Sequence, residues 1–185
     1  MQYGLVGLTR KIEYAASKSR LAYWAASLYY RNVIKNEIDL ANITSKDHIL
    51  CIGGGICPFS AILFHEKTGA RVTVIDNCEK CVPQAERVVS QLGLDEYVNV
   101  LRQDGGEIEL NPGEFSVVHF ALQVFPMESV LTQVGKQVEP GTKLLVRKPK
   151  NDFGGMYKPD SCLTCHHHVT HQKACNIGST LLYIK

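Results

Sequence analysis

Three consecutive glycines, Gly53, Gly54 and Gly55, break an apolar stretch, and an aspartate, Asp76, follows the third of them by 21 positions. Glycines between a buried strand and a helix let the backbone take positive φ and let a ligand reach the main chain without meeting a Cβ. The first turn of the helix then offers N–H groups to whatever sits there. An acid at the end of the next strand is placed to accept hydrogen bonds from ribose hydroxyls. Together these residues ask for a nucleoside-containing ligand.

Pro58 narrows the choice. A dinucleotide site wants G-x-G-x-x-G, whose last small residue brings helix and strand together while a pyrophosphate sits at the helix start. The position three after Gly55 is Pro58, which suits a first helical turn but offers one donor fewer to a phosphate. A ligand with a ribose and no phosphate fits better. S-adenosylmethionine (SAM) is therefore the expected cofactor, with Gly53 to Gly55, Ile56, Cys57, Pro58, Asp76 and Asn77 around it.

The elements that must position these residues follow from apolar patterning. A strand over 49–52 enters the glycine turn, a helix leaves it, and strands follow over 71–76, 98–102, 115–121 and 142–147. Helices over 79–92 and 127–138 separate them, and this β-α-β order predicts a parallel sheet with helices on both faces. Near the end, 166–171 and 179–184 read as two strands joined by a short loop, which makes them antiparallel to each other. The expected fold is α/β and Rossmann-like, a mostly parallel sheet with an antiparallel C-terminal strand. Residues 9–38 carry apolar positions at helical spacing and predict one or two helices. The expected organisation is a helical cap over 1–44 and a SAM-binding unit over 45–185. The cap either packs on the sheet or acts as a lid over the ligand.

Composition sets the class. With 185 residues, 45% hydrophobic and 21% charged, and a net charge of +2, the chain is an ordinary globular α/β protein with no nucleic-acid footprint. No stretch approaches the ~18 apolar residues of a membrane span, and no secretory leader is expected at the start. Seven cysteines, an odd number with Cys51 inside a predicted core strand, argue against a secreted disulfide framework. A cytoplasmic location and a small-molecule acceptor are expected.

With these residues in view, residues 45–185 resemble the class I SAM-dependent methyltransferases. CIGGGICP at 51–58 is similar to their first motif, ID at 75–76 to their ribose-binding acid, and RQDGG at 102–106 to their adenine-flanking motif. The resemblance implies that Gly53 to Gly55 line the methionine moiety, Asp76 the ribose, and Asp104 with Gly105 the adenine. Two positions depart from the family: Cys51 stands where an acid usually precedes the glycines, and Cys57 where a third small residue is usual. A narrower resemblance is to nicotianamine synthases, through the proline after the glycine turn, FALQVFPMES at 120–129, PGTKLLVRKPKNDFGGMYKP at 140–159 and HQKACNIGSTLLYIK at 171–185. It implies transfer of the aminocarboxypropyl arm of SAM to an amine. No counterpart of the large N-terminal helical domain of that family is expected in these residues.

The end of strand four holds Ala121, Leu122 and Gln123, at the carboxyl edge where ligands of such sheets bind. Ala121 and Leu122 are expected against the cofactor and Gln123 toward the acceptor. No N/D-P-P-aromatic motif follows, which weakens DNA-base and amino-group methylation. His119, inside the strand, reads as a satisfied core histidine. Methyl transfer to a small molecule ranks first, aminocarboxypropyl transfer second, and a nonenzymatic SAM-binding or metal-sensing module third.

Cysteine and histidine also cluster as CLTCHHHVTHQKAC over 162–175 and as a second C-x-x-C at Cys78 and Cys81. Thiolates from both pairs suit zinc, but three strand gaps of about 4.8 Å place them roughly 14 Å apart. A local metal site is the alternative: His166 and His168 share a strand face by alternation, with Cys162, Cys165 or His171 completing the set. The plainer reading is a solvated histidine strand with reduced thiols. Cys78 and Cys81 start a helix whose dipole lowers thiol pKa, so they form either a redox pair or, more plainly, the wall beside the ribose.

Overall fold

A computed structural model describes residues 19–150, 163–172, 174 and 176–185 of the chain. Its first element, α1 (Arg20–Ala41), ends where Asn42 adopts a left-handed conformation (φ 47°), a role asparagine tolerates. Next come β1 (His48–Ile52), α2 (Phe59–Thr68), β2 (Arg71–Asp76), α3 (Val82–Gln91) and β3 (Val98–Arg102). The second half holds β4 (Val117–Phe120), α4 (Met127–Gln137), β5 (Lys143–Pro149), β6 (Thr164–Thr170) and β7 (Ile177–Ile184). Helix α3 starts three residues later than the pattern suggests, because Cys78 to Cys81 form a turn and Pro83 favours the first helical positions.

The strands form one sheet in the order β3-β2-β1-β4-β5-β7-β6. The first five are parallel, and β7 runs antiparallel to both β5 and β6. This is the expected α/β Rossmann-like sheet with its antiparallel finish. Both faces are covered, which is why the central strands read as continuous apolar runs. Ile49 and Cys51 of β1 face a core shared with Ile34 of α1 and Phe64 of α2, whereas Leu50 and Ile52 face Val130 and Leu131 of α4. The strand order reverses between β1 and β4, and in such sheets the crevice at that reversal receives ligands.

Helix α1 is fixed to the sheet by apolar and ionic contacts. Tyr23 and Tyr30 stack on Phe59 of α2, with ring centroids 5.3 and 5.2 Å away; each such pair contributes about 0.5–1.5 kcal/mol beyond its area. Deeper in, Glu37 is fully buried and meets Arg147 of β5 through two bonds of 2.8 Å, Nε to Oε1 and Nη2 to Oε2. Arg147 also donates to Ser60 Oγ (2.9 Å), and Thr180 of β7 donates to Glu37 Oε1 (2.7 Å). His171 Nε2 lies 2.8 Å from the same Thr180 hydroxyl. One polar network thus joins α1, α2, β5 and β7.

Breaking a buried pair leaves a charge without compensation, whereas replacing both partners by apolar groups is far milder. Arg147→Met should therefore lower the unfolding free energy by about 3–5 kcal/mol. Glu37→Leu combined with Arg147→Met should recover most of that loss in urea unfolding. Equal losses in the single and double variants would contradict this account.

Candidate functional site

The glycine turn leaves β1 and closes over its carboxyl edge. Gly53 takes φ 88° and Gly55 φ 64°, so both use the freedom that favours glycine. Gly54 is needed for another reason: a Cβ there would lie 2.3 Å from Val74 Cγ1, inside the packed core. Gly105 is similar, since its Cβ would lie 2.7 Å from Ile52 Cγ2. At both positions the backbone lies against the core too closely for a side chain.

Asp76, at the end of β2, is held by two backbone donors. Gly55 N–H donates to Oδ2 (2.7 Å) and Cys78 N–H to Oδ1 (2.9 Å). A carboxylate offers about four acceptor directions, so one on each oxygen stays open for a diol. Beyond the end of β3, Asp104 accepts Gly106 N–H (2.8 Å) and Asn77 Nδ2–H (3.1 Å). The Gly106 bond first, then Asn77, holds its carboxyl below the usual range. At the helix start, Phe59 N–H is already bonded to Cys57 O (2.8 Å), which with Pro58 leaves few donors for a phosphate.

The glycine turn, Asp76, Asn77, Asp104 and Gly105 border one cavity of about 300 Å³. Its wall includes Gly53, Gly54, Gly55, Ile56, Cys57 and Pro58 from the turn, and Asp76, Asn77, Asp104 and Gly105 from the edges of β2 and β3. Ala121, Leu122 and Gln123 close it from the end of β4. The residues singled out for a SAM site in the sequence therefore meet in one place. The residues suit the cofactor: open backbone, an acid preset for a diol and a polar rim for a base.

The cavity also has a floor that sequence reasoning missed, formed by Tyr30 of α1, Ser60 of α2, His119 of β4, Arg147 of β5, and Asn176. His119 is not the satisfied core histidine expected. It is 1% exposed, and neither Nδ1 nor Nε2 has a hydrogen-bond partner. Its Nε2 lies 3.6 Å from Glu37 Oε2. Burial first, then the Arg147 guanidinium, lowers its pKa, with Glu37 opposing, so the imidazole is neutral. Burial alone would raise the Glu37 pKa, but Arg147, followed by His119, outweighs it and holds the carboxyl ionised. Burial pushes the Cys51 thiol far up.

The C-terminal metal candidates do not assemble as alternation suggests. Cys162 lies outside the described residues. In β6 the register shifts between Cys165 and His167, a bulge that breaks the two-residue period meant to carry His166 and His168 to one face. His166 and His168 are exposed, and Cys165 packs partly against the α4 side of the sheet. Among the described residues, the three-donor group is Asp76, Cys78 and Cys81 instead. Cys78 and Cys81 are joined in a disulfide rather than left as reduced thiols, while Cys51 and Cys165 are free thiols.

Comparison with known proteins places this geometry. No family model matches the chain. Over 138 residues it is 26% identical to L-histidine 2-aminobutanoyltransferase of Yersinia pestis, covering 74% of this chain and 49% of that protein. The chain thus spans about half the length of this curated relative. The structure of the nicotianamine synthase MtNAS in complex with MTA and tNA superposes with a TM-score of 0.80 at 22% identity, over 97% of this chain and 72% of that one. An RNA methyltransferase from Salinibacter ruber, in complex with S-adenosyl-L-homocysteine, superposes at 0.64 and 18% identity, over 83% and 89% of the two chains. The chain has the class I SAM-methyltransferase fold. Its likeness within that fold extends to nicotianamine synthase. Among the described residues, no helix of this methyltransferase-fold chain is long and apolar enough to cross a membrane.

The floor network makes stability depend on acid in a stated direction. His119 and Glu37 both have folded pKa values below their ordinary 6.5 and 4.5. The unfolded chain therefore binds more protons, and the stability present at neutral pH is lost as pH falls. The loss starts below about 6.5 through His119, helped by His48 and His171, which shift the same way, and deepens below about 4.5 through Glu37. Urea midpoints measured from pH 7.5 to 5 should fall in the wild type and fall less steeply in His119→Gln. Parallel profiles would show that His119 is not buried neutral.

Proposed function

We propose that the chain is a SAM-dependent transferase that moves the aminocarboxypropyl arm of SAM onto an amine of a small amino-acid-like acceptor. This reverses the order in which the sequence alone ranks the two reactions. The observation that carries it is the sequence likeness to an L-histidine 2-aminobutanoyltransferase, which names a four-carbon amino-acid unit as the group moved. The MtNAS superposition, which spans 97% of this chain, supports the same reading.

When bound, SAM supplies a carbon made electrophilic by the adjacent sulfonium and a neutral thioether as leaving group. The protein's part is to hold, orient and accept a proton. Asp76, preset by Gly55 and Cys78, takes the ribose hydroxyls, and Asp104 with Asn77 and Gly105 borders the base. The glycine turn with Ala121 and Leu122 leaves the amino-acid arm pointing along the crevice toward the floor. The acceptor enters past Gln123, and α1, through Tyr30, serves as a wall that limits water. Helix α1 thus acts as a cap that is also part of the site.

An attacking amine must carry a free lone pair and shed a proton as the carbon–nitrogen bond forms. In this reading neutral His119 takes it, since neither ring nitrogen has a hydrogen-bond partner and Glu37, 3.6 Å from Nε2, would stabilise the imidazolium. Proton transfer of this kind contributes about 10²–10⁴-fold.

Incubation of the protein with SAM and a panel of amino acids, histidine first, followed by mass spectrometry of the adenosine coproduct, tests the reading. The expected coproduct is 5′-methylthioadenosine, and His119→Ala should lower kcat by about 10²-fold or more. S-adenosylhomocysteine would restore methyl transfer to first place, and neither coproduct across the panel would favour a binding module.

A further inference from the structure

The nucleoside end of the cavity carries a second set of donors, of which the proposed transfer uses only Asp76. Asp76 closes β2, and Cys78 and Cys81 form the turn before α3. The ligand atoms of the three lie within 4.8 Å of one another. Both Cys81 N–H (2.9 Å) and Val82 N–H (3.3 Å) fold back onto Cys78 O, so the turn is tightly wound. Asp76 is held against the same turn by Cys78 N–H. All three side chains border the cavity. The cysteines are joined as a disulfide, and a small thiol reverses that bond by exchange. One protein disulfide and two R–SH give two cysteine thiols and one R–S–S–R.

We propose that the reduced Cys78 and Cys81, together with Asp76, form a binding site for a thiophilic divalent cation, and that cation and nucleoside exclude one another there. Two thiolates and a carboxylate are donors that zinc accepts, and three protein ligands leave a fourth position open. Metal binding requires both cysteines as thiolates and releases their protons. Exclusion follows from acceptor counting. Of about four acceptor directions on the Asp76 carboxylate, two are taken by Gly55 and Cys78. A ribose diol needs the remaining two, and a cation removes at least one of them. Free cation therefore lowers the apparent affinity for the cofactor, and oxidation of the pair abolishes the cation site. The exclusion, though not the cation site itself, rests on reading the cavity as a nucleoside site.

Cobalt(II) titration of the full chain tests this, after reduction with a phosphine and desalting, with thiolate-to-cobalt charge-transfer absorbance as the readout. One equivalent should bind, with the band lost in Cys81→Ser, in Cys78→Ser and in the oxidised protein. The affinity should drop at least roughly tenfold in Asp76→Asn and stay unchanged in Cys165→Ser. Added 5′-methylthioadenosine or S-adenosylhomocysteine should raise the apparent Kd for cobalt in proportion to its concentration. A reduced wild type without the band, or a band that survives both serine variants, overturns the site. Cobalt affinity that ignores a nucleoside shown to bind the metal-free protein overturns the exclusion. A nucleoside that fails to stabilise the metal-free protein thermally sinks the cofactor reading instead, and the cobalt band still reports on the cation site.

Discussion

Glu37 and Arg147 stand 110 positions apart in the chain and meet with both charges withdrawn from water. Burying two ions is costly, and only good geometry with further hydrogen bonds offsets it. Here the guanidinium meets the carboxylate through two bonds, Ser60 takes another Arg147 hydrogen, and Thr180 adds one to Glu37. The pair thereby fixes α1 over the parallel face and gives the cavity its floor. It also accounts for Cys51. An acid at that position would set a second carboxylate beside Glu37, whereas the neutral thiol leaves the negative charge to α1.

The cavity then has two chemically distinct ends. Toward β2 and β3, backbone glycines, half-buried Asp76 and exposed Asp104 suit a flat base and a diol. Toward α1, the floor combines a compensated ion pair with a neutral imidazole that lacks a hydrogen-bond partner. A sulfonium-bearing ligand that spans the crevice would place its reacting carbons between these ends. Under the proposed transfer, differential stabilisation of the reacting state would come from the floor, and affinity from the turn.

What the sequence made legible is what depends on short range. The glycine turn, Pro58, the spacing to Asp76 and the alternation of apolar runs are each set within about two dozen residues, and the sheet follows from them. His119 was misjudged because a histidine inside an apolar strand is satisfied or orphaned according to partners on other elements, here Glu37 of α1 and Arg147 of β5. The lysine- and arginine-bearing end of β5 gave no hint that Arg147 points into the core toward a helix. Alternation failed in β6 because a bulge is set by pairing with β7 rather than by local pattern. The C-x-x-C turn was visible, but that Asp76 shares its space needed the geometry of the β2 edge.

The central claim is that one molecule lies across both ends of this cavity, with its ribose on Asp76 and its transferable arm over His119. A crystal structure of the chain with bound SAM tests it most directly. The account predicts ribose hydroxyls on the Asp76 carboxylate and the amino-acid arm directed at the floor formed by Ser60, His119 and Arg147. An arm that points out past Asp104 to solvent, or a ribose held away from Asp76, would contradict it.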